Sequence, residues 1–131
     1  MNSPLDTLSP FALALAAEDY LTTLSLLPEQ CQYDSPTGLL IGPAAIVTSY
    51  QGNGDDARQR FDSIECSHSI ATFEAGWYLI EFIDEFCVRT KTHEFRCRQR
   101  VRLDRGLIDR IVHVAIPEQR ELLNAFLRAL E

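Results

Sequence analysis

Between Thr92 and Asp104 the chain alternates strictly. His93, Phe95, Cys97, Gln99, Val101 and Leu103 fall on one side of an extended strand, and Glu94, Arg96, Arg98, Arg100 and Arg102 fall on the other. A period-two pattern of this length does not fit an amphipathic helix. It requires a sheet with one covered face and one open face. Companion strands are predicted at 60–73, 76–89 and 107–116, with turns at Glu74-Ala75-Gly76, Thr90-Lys91 and Asp104-Arg105-Gly106. The last reads as a three-residue hairpin loop with Gly106 in the left-handed position. Connections this short join neighbouring strands, so the second half of the chain is an antiparallel meander.

The covered face needs a partner layer, and the first half of the chain supplies it. Ser3-Pro4 and Ser9-Pro10 both offer helix starts, and Phe11, Leu15, Ala16 and Tyr20 recur at helical spacing. A second helical stretch is predicted from Ala17 to Leu27, ended by Pro28. A strand over Cys31–Ser35, a turn at Ser35-Pro36-Thr37-Gly38 and a short strand at Leu39–Ile41 follow. A further helix is predicted over Ala44–Tyr50, and Gln51–Asp56 reads as a flexible stretch of turn formers and charge. Pro117-Glu118 opens a final helix, with Leu122, Leu123, Phe126, Leu127 and Leu130 on one face. The expectation is an α+β fold in one domain over residues 1–131: N-terminal helices on a mostly antiparallel sheet, a core at about 5–116 and a C-terminal helix at about 117–130.

Charge and composition narrow the partners. With 46% hydrophobic and 24% charged residues the chain is of ordinary globular composition. Its formal charge of −7 argues against nucleic acid, because phosphate neutralisation needs clustered cations. No apolar run approaches the roughly 20 residues that span a bilayer, so no membrane partner is expected. No basic segment followed by an apolar stretch opens the chain, so a cytoplasmic location is expected, with free thiols at Cys31, Cys66, Cys87 and Cys97. These cysteines have no metal-ligand spacing, so neither metal nor cofactor is expected. Residues 89–105 carry a local +5, which leaves −12 on the rest of the chain.

Closing the hairpin on Thr90-Lys91 pairs Arg89 with Thr92. Glu85 then lies opposite Arg96 and Glu81 opposite Arg100, so cross-strand ion pairs absorb the arginine row. On the other face Phe86 meets Phe95, Ile80 meets Val101, Phe82 meets Gln99 and Asp84 meets Cys97. Asp84 is thus a carboxyl among apolar side chains, and a desolvated carboxyl has a raised pKa suited to a general base. His113 joins the same face near Cys97 and Gln99, and Tyr33 and Ser35 join from the first strand. The candidate catalytic residues are Asp84 and His113, and the candidate pocket residues are Phe11, Tyr33, Ser35, Phe82, Cys97 and Gln99.

The order of elements, with Ala17-Glu18-Asp19-Tyr20, Tyr33-Asp34-Ser35-Pro36-Thr37-Gly38, Ile41-Gly42-Pro43-Ala44-Ala45-Ile46 and Leu103-Asp104-Arg105-Gly106-Leu107-Ile108, resembles the nuclear transport factor 2-like superfamily over roughly residues 5–116. The resemblance implies a curved, cone-shaped sheet around an apolar pocket and a homodimer through the outer sheet face. It also implies functions ranging from ketosteroid isomerases, polyketide cyclases, dehydratases and epoxide hydrolases to non-catalytic binding and assembly domains. The isomerase pattern, carried over by resemblance, puts its aspartate base at Ser35, its tyrosine at Phe11 and its carboxylic acid at Gln99, none of which has the required chemistry. An epoxide hydrolase would need an arginine between aspartates; the sheet arginines point outward, and only Arg58 and Arg60 could reach the pocket mouth. The leading expectation is therefore a small-molecule-binding domain that takes a small hydrophobic molecule. The alternatives are an isomerase-, cyclase- or dehydratase-type enzyme using Asp84 and His113, and a non-catalytic dimeric assembly module.

Overall fold

The computed structural model describes residues 3–131. Three helices and two short strands come first: α1 (Leu5–Ala16), α2 (Tyr20–Leu26), β1 (Gln32–Ser35), β2 (Gly38–Ile41) and α3 (Pro43–Arg60). The meander follows as β3 (Ser63–Glu74), β4 (Trp77–Val88), β5 (Lys91–Asp104) and β6 (Leu107–Val114), and α4 (Gln119–Ala129) ends the chain. The strands form one sheet in the order β2-β1-β6-β5-β4-β3, antiparallel except where β1 runs parallel to β6. This is the α+β architecture expected from the sequence, with a curved open sheet.

The core lies between the concave sheet face and the helices. Leu8, Phe11 and Ala12 of α1 and Ile46, Val47 and Tyr50 of α3 pack on Ile80, Phe82, Val101, Ile108 and Ile111. The convex face carries the arginines, all in ion pairs: Arg98 with Glu81 at 3.2 Å, Arg96 with Glu94 at 3.3 Å, Arg100 with Glu74 at 3.8 Å and Arg102 with Asp109 at 2.7 Å.

The partners differ from those expected because the β4–β5 register is displaced by two residues. Val88 pairs with Lys91 across an Arg89-Thr90 turn, which puts Glu81 opposite Arg98 and Glu85 opposite Glu94. Asp62 explains the shift. Its N–H donates to the Cys87 carbonyl, and its carboxylate accepts the Arg89 N–H at 2.6 Å, which holds Arg89 in a left-handed conformation. A shift of two preserves faces. The inward and outward sets therefore stand, while Asp84 meets Phe95 rather than Cys97, Phe82 meets Cys97 rather than Gln99, Phe86 meets His93 rather than Phe95, and Ile80 meets Gln99 rather than Val101.

The turn after β5 also differs from expectation. Asp104 pairs with Leu107, so the loop is the two residues Arg105-Gly106, both at positive φ. Two residues alone would turn His113 outward. A one-residue bulge at Asp109, where the pairing steps from Leu103–Ile108 to Arg102–Arg110, restores the parity.

Two helical expectations are also corrected. The second helix starts at Tyr20 rather than Ala17, because Asp19 caps it by accepting the Thr22 N–H at 3.2 Å. The stretch Gln51–Asp56 is not a flexible loop but the middle of α3. Tertiary contacts override its poor helix propensity. Gly54 lies under the Tyr20 hydroxyl, where a Cβ would collide, and Arg58 binds the Glu18 carboxylate at 2.7 Å.

Gly52 and Gly54 therefore test the helix with opposite signs. Gly52 has open space around its Cβ position, so Gly52→Ala should stabilise the protein by roughly 1 kcal/mol in urea unfolding. Gly54→Ala should forfeit that gain against Tyr20 and lower the midpoint. Equal gains at both positions would contradict the packing described.

Candidate functional site

The concave face is not uniformly apolar. Where β3, β4 and β5 lie side by side, Cys66 pairs with Asp84 and Asp84 with Phe95, and one step along the ladder His68 pairs with Phe82 and Phe82 with Cys97. All these side chains point inward, because each follows the alternation of its strand. Asp84 therefore sits between two thiols and two phenyl rings, and among the described residues it takes part in no ion pair.

Burial raises the Asp84 pKa above the ordinary carboxyl value; the Cys66 thiol partly offsets this by hydrogen bonding, and the nearby Glu18 charge adds to it. Burial likewise raises both thiols, with the Asp84 charge as the next cause: Cys97 to about 12 and Cys66 further. Thiols this weakly acidic are not nucleophiles near neutrality. The Cys66 Sγ lies between the Asp84 carboxylate and the Ser67 carbonyl oxygen, the latter at 3.7 Å. Glu18, at the bend between α1 and α2, is bound by Arg58 from α3, and its charge reaches Asp84.

Deeper in the sheet the polar groups are satisfied among themselves. Gln99 is 5% exposed, and its Oε1 accepts a hydrogen bond from the Tyr50 hydroxyl at 3.1 Å. Tyr33 stacks on Tyr50 with ring centroids 5.2 Å apart, and burial lifts its phenol to about 12. Phe11, Tyr33, Phe82 and Gln99 are thus gathered in the core around Tyr50. Ser35 is placed elsewhere. It stays in the β1–β2 turn, where its hydroxyl donates to the Gly38 carbonyl at 2.7 Å.

Asp84 and His113 share the concave face but are not neighbours. His113 pairs with Gln99, whereas Asp84 pairs with Phe95, four positions further along β5 and one strand beyond. Four positions are about 13 Å of strand and the two interstrand steps about 10 Å, which puts direct proton exchange out of reach. Burial, then the charge of Arg120, lowers the His113 pKa.

Sequence reasoning misses Tyr50, Glu18 and Cys66 as site residues. Tyr50 comes from the helix half that the sequence places correctly, but its hydroxyl partner depends on helix–sheet docking. The Glu18–Arg58 pair spans forty positions, beyond any local pattern. Cys66 is legible only once the β3 register is known. A groove of about 550 Å³ between α2 and α3, floored by Leu24 and Val47, lies outside the concave face.

Asp84 carries a stability consequence. Its folded pKa lies above the unfolded value of 3.8, so the folded state holds the proton more tightly. The native state is therefore favoured at low pH, and that advantage is lost as pH rises through the folded pKa. Asp84→Asn should raise Tm by a few degrees at neutral pH, and the gain should vanish on approach to pH 4. A pH-independent gain, or a loss, would contradict the burial of an unpaired carboxyl.

No protein-family model and no curated protein sequence matches the chain. Solved structures do. TerC, co-crystallised with polyporic acid, superposes with a TM-score of 0.70 at 13% identity, over 93% of this chain and 99% of that one. An epoxide hydrolase of the LEH-like type from M. tuberculosis gives 0.62 at 17% identity over 97% and 86%. An NTF2-like protein of unknown function from Cytophaga hutchinsonii gives 0.62 at 15% identity over 94% and 96%. The helices, the strand order and these superpositions together give the chain the nuclear transport factor 2-like fold.

Proposed function

We propose that the chain is a small-molecule-binding domain whose site is the concave sheet face beside Asp84. The observation that carries this reading is a half-buried carboxyl set among rings and thiols, with no cation beside it among the described residues. Such a group costs stability and does nothing for the fold that a leucine would not do better. It suits a small, mostly apolar molecule that brings one hydrogen-bond donor to the carboxylate. That TerC was co-crystallised with polyporic acid supports the idea that this fold receives small organic molecules.

A second reading, an isomerase-, cyclase- or dehydratase-type enzyme, draws on the raised Asp84 pKa, since a base works best with a pKa near the ambient pH. His113 would then act on a different part of the substrate from Asp84. An arginine between aspartates, as the epoxide hydrolase reading requires, is not favoured, because Arg58 is committed to Glu18.

N-phenyl-1-naphthylamine, a neutral diarylamine fluorophore with one N–H, is a direct probe. Saturable binding at one site is expected, weakened about tenfold or more by Asp84→Ala through loss of the charged hydrogen bond. Binding that ignores Asp84→Ala would move the site elsewhere.

The convex face supports a homodimer through the sheet. Phe73 is 50% exposed there, the Trp77 ring lies under Arg100 and Arg102 at 5.0 and 5.5 Å, and the Arg100 Nε is buried without an acceptor among the described residues. Light scattering at micromolar concentration should give twice the 14.8 kDa chain mass, and Phe73→Asp should return it to 14.8 kDa. A monomer mass for the unaltered chain would exclude this assembly.

A further inference from the structure

Two hydrophobic clusters share the concave face, and Asp84 lies at the seam between them. The larger sits under α1 and α3; the smaller is built on Phe61, Phe86 and Leu123. The floor of the smaller cluster is the sheet rings Phe86 and Phe95, with Phe61 from the end of α3 laid over Phe86. Phe61 and Phe86 stack in parallel at 4.0 Å, and Phe95 lies 6.2 Å from Phe86. Its roof is α4, which contributes Leu123, Phe126 and Leu127 and leaves Leu122 51% exposed.

α4 is lightly attached. β6 makes its last pair with β5 at Val114–Arg98, so the Arg96 N–H beyond it has no strand partner and donates instead to Gln119 Oε1 at 2.8 Å. The helix is entered through Glu118 at φ 72, and no side chain caps its first turn. Under the helix, Phe126 stacks on the His93 ring at 5.0 Å, and the buried Nε2 of His93 has no hydrogen-bond partner among the described residues. A phenyl ring cannot satisfy that nitrogen, whereas an aromatic molecule with a polar substituent can.

We propose that α4 is a displaceable lid, and that Phe126 fills the place taken by a planar aromatic ring of the ligand once the lid swings off. The inference rests on the binding site proposed above and names its ligand class: a flat aromatic molecule with hydrogen-bonding substituents. Asp84 pairs with Phe95 and lies two residues from Phe86, so a ring on this floor can carry a polar group either to the Asp84 carboxyl or to His93 Nε2, and the single N–H of the probe suffices for the first. Phe126 acts as an internal competitor. Apparent affinity is the intrinsic affinity scaled by the fraction of open lid, so loosening the lid tightens binding.

The test uses the full chain and N-phenyl-1-naphthylamine. Phe126→Ala, which removes the plug, and Gln119→Ala, which removes the latch, should each lower the probe Kd, by about tenfold if the closed lid dominates in the unaltered chain. Hydrogen exchange in residues 119–129 should quicken when the probe is saturating, while exchange in β4 and β5 slows. An unchanged Kd in both variants, or slower exchange in α4 with probe bound, would overturn the lid while leaving the site beside Asp84 standing. Absence of probe binding in the unaltered chain and in both variants would overturn the binding site and the lid together.

Discussion

The arrangement depends on one irregularity, the bulge at Asp109. A two-residue turn at Arg105-Gly106 gives β6 the wrong parity, with polar Arg110 and Val112 turned inward and Ile111 and His113 turned out. One extra residue reverses that, and Ile111 enters the core fully buried. Asp109 is held in place by a two-pronged contact from Arg102, with Nε at 3.0 Å from Oδ1 and Nη2 at 2.7 Å from Oδ2. The fork geometry of guanidinium and carboxylate gives this pair directional strength that a lysine would lack. β1 then pairs with β6 in the corrected register, which sets Tyr33 beside Ile111 and brings its ring to Tyr50. The neighbouring strands β1 and β6 thus inherit their facing from a single residue.

The same register fixes what burial costs. A carboxyl at position 84 is directed inward as firmly as the phenyl rings at 82 and 86, because all three obey one alternation. The sheet cannot turn Asp84 to water without also exposing Phe82 and Phe86. Its partial burial is therefore enforced by the rings, with the Cys66 thiol as a hydrogen-bond partner and no ion pair among the described residues. This differs from Asp34, which lies on the opposite face of β1 and finds Arg110 at 2.6 Å. Two aspartates in one sheet have different chemistry for that reason alone.

This explains how far the sequence could be read. Faces were legible, because alternation over β4 and β5 is strong and a shift of two residues leaves it intact. Partners were not, because the turn positions were chosen by Asp62 and by the Asp109 bulge, neither of which alters the local pattern. The inward facing of Asp84 followed from alternation; its distance from His113 did not, because that distance depends on the β4–β5 and β5–β6 registers together. The helical course of Gln51–Asp56 was illegible for a different reason. Gly, Asn and Asp argue for a turn locally, and only the contacts of Tyr20 with Gly54 and of Glu18 with Arg58 make a helix there worth its propensity cost.

That weak half of α3 and the lightly held α4 border the same cluster. Ala57 and Phe61, from the end of α3, and Leu123, Phe126 and Leu127, from α4, close over Phe86 and Phe95 from two sides. Local stability follows buried contact and helix propensity, so the segments cheapest to open are the ones around this cluster. The opposite end of the concavity is built differently. Phe11, Ile46, Ile80 and Val101 are fully buried there, and Tyr50 ties α3 to β5 through Gln99. The concave face is therefore tied by hydrogen bonding at Gln99 and covered only by apolar packing at Phe126, and Asp84 stands where the two meet.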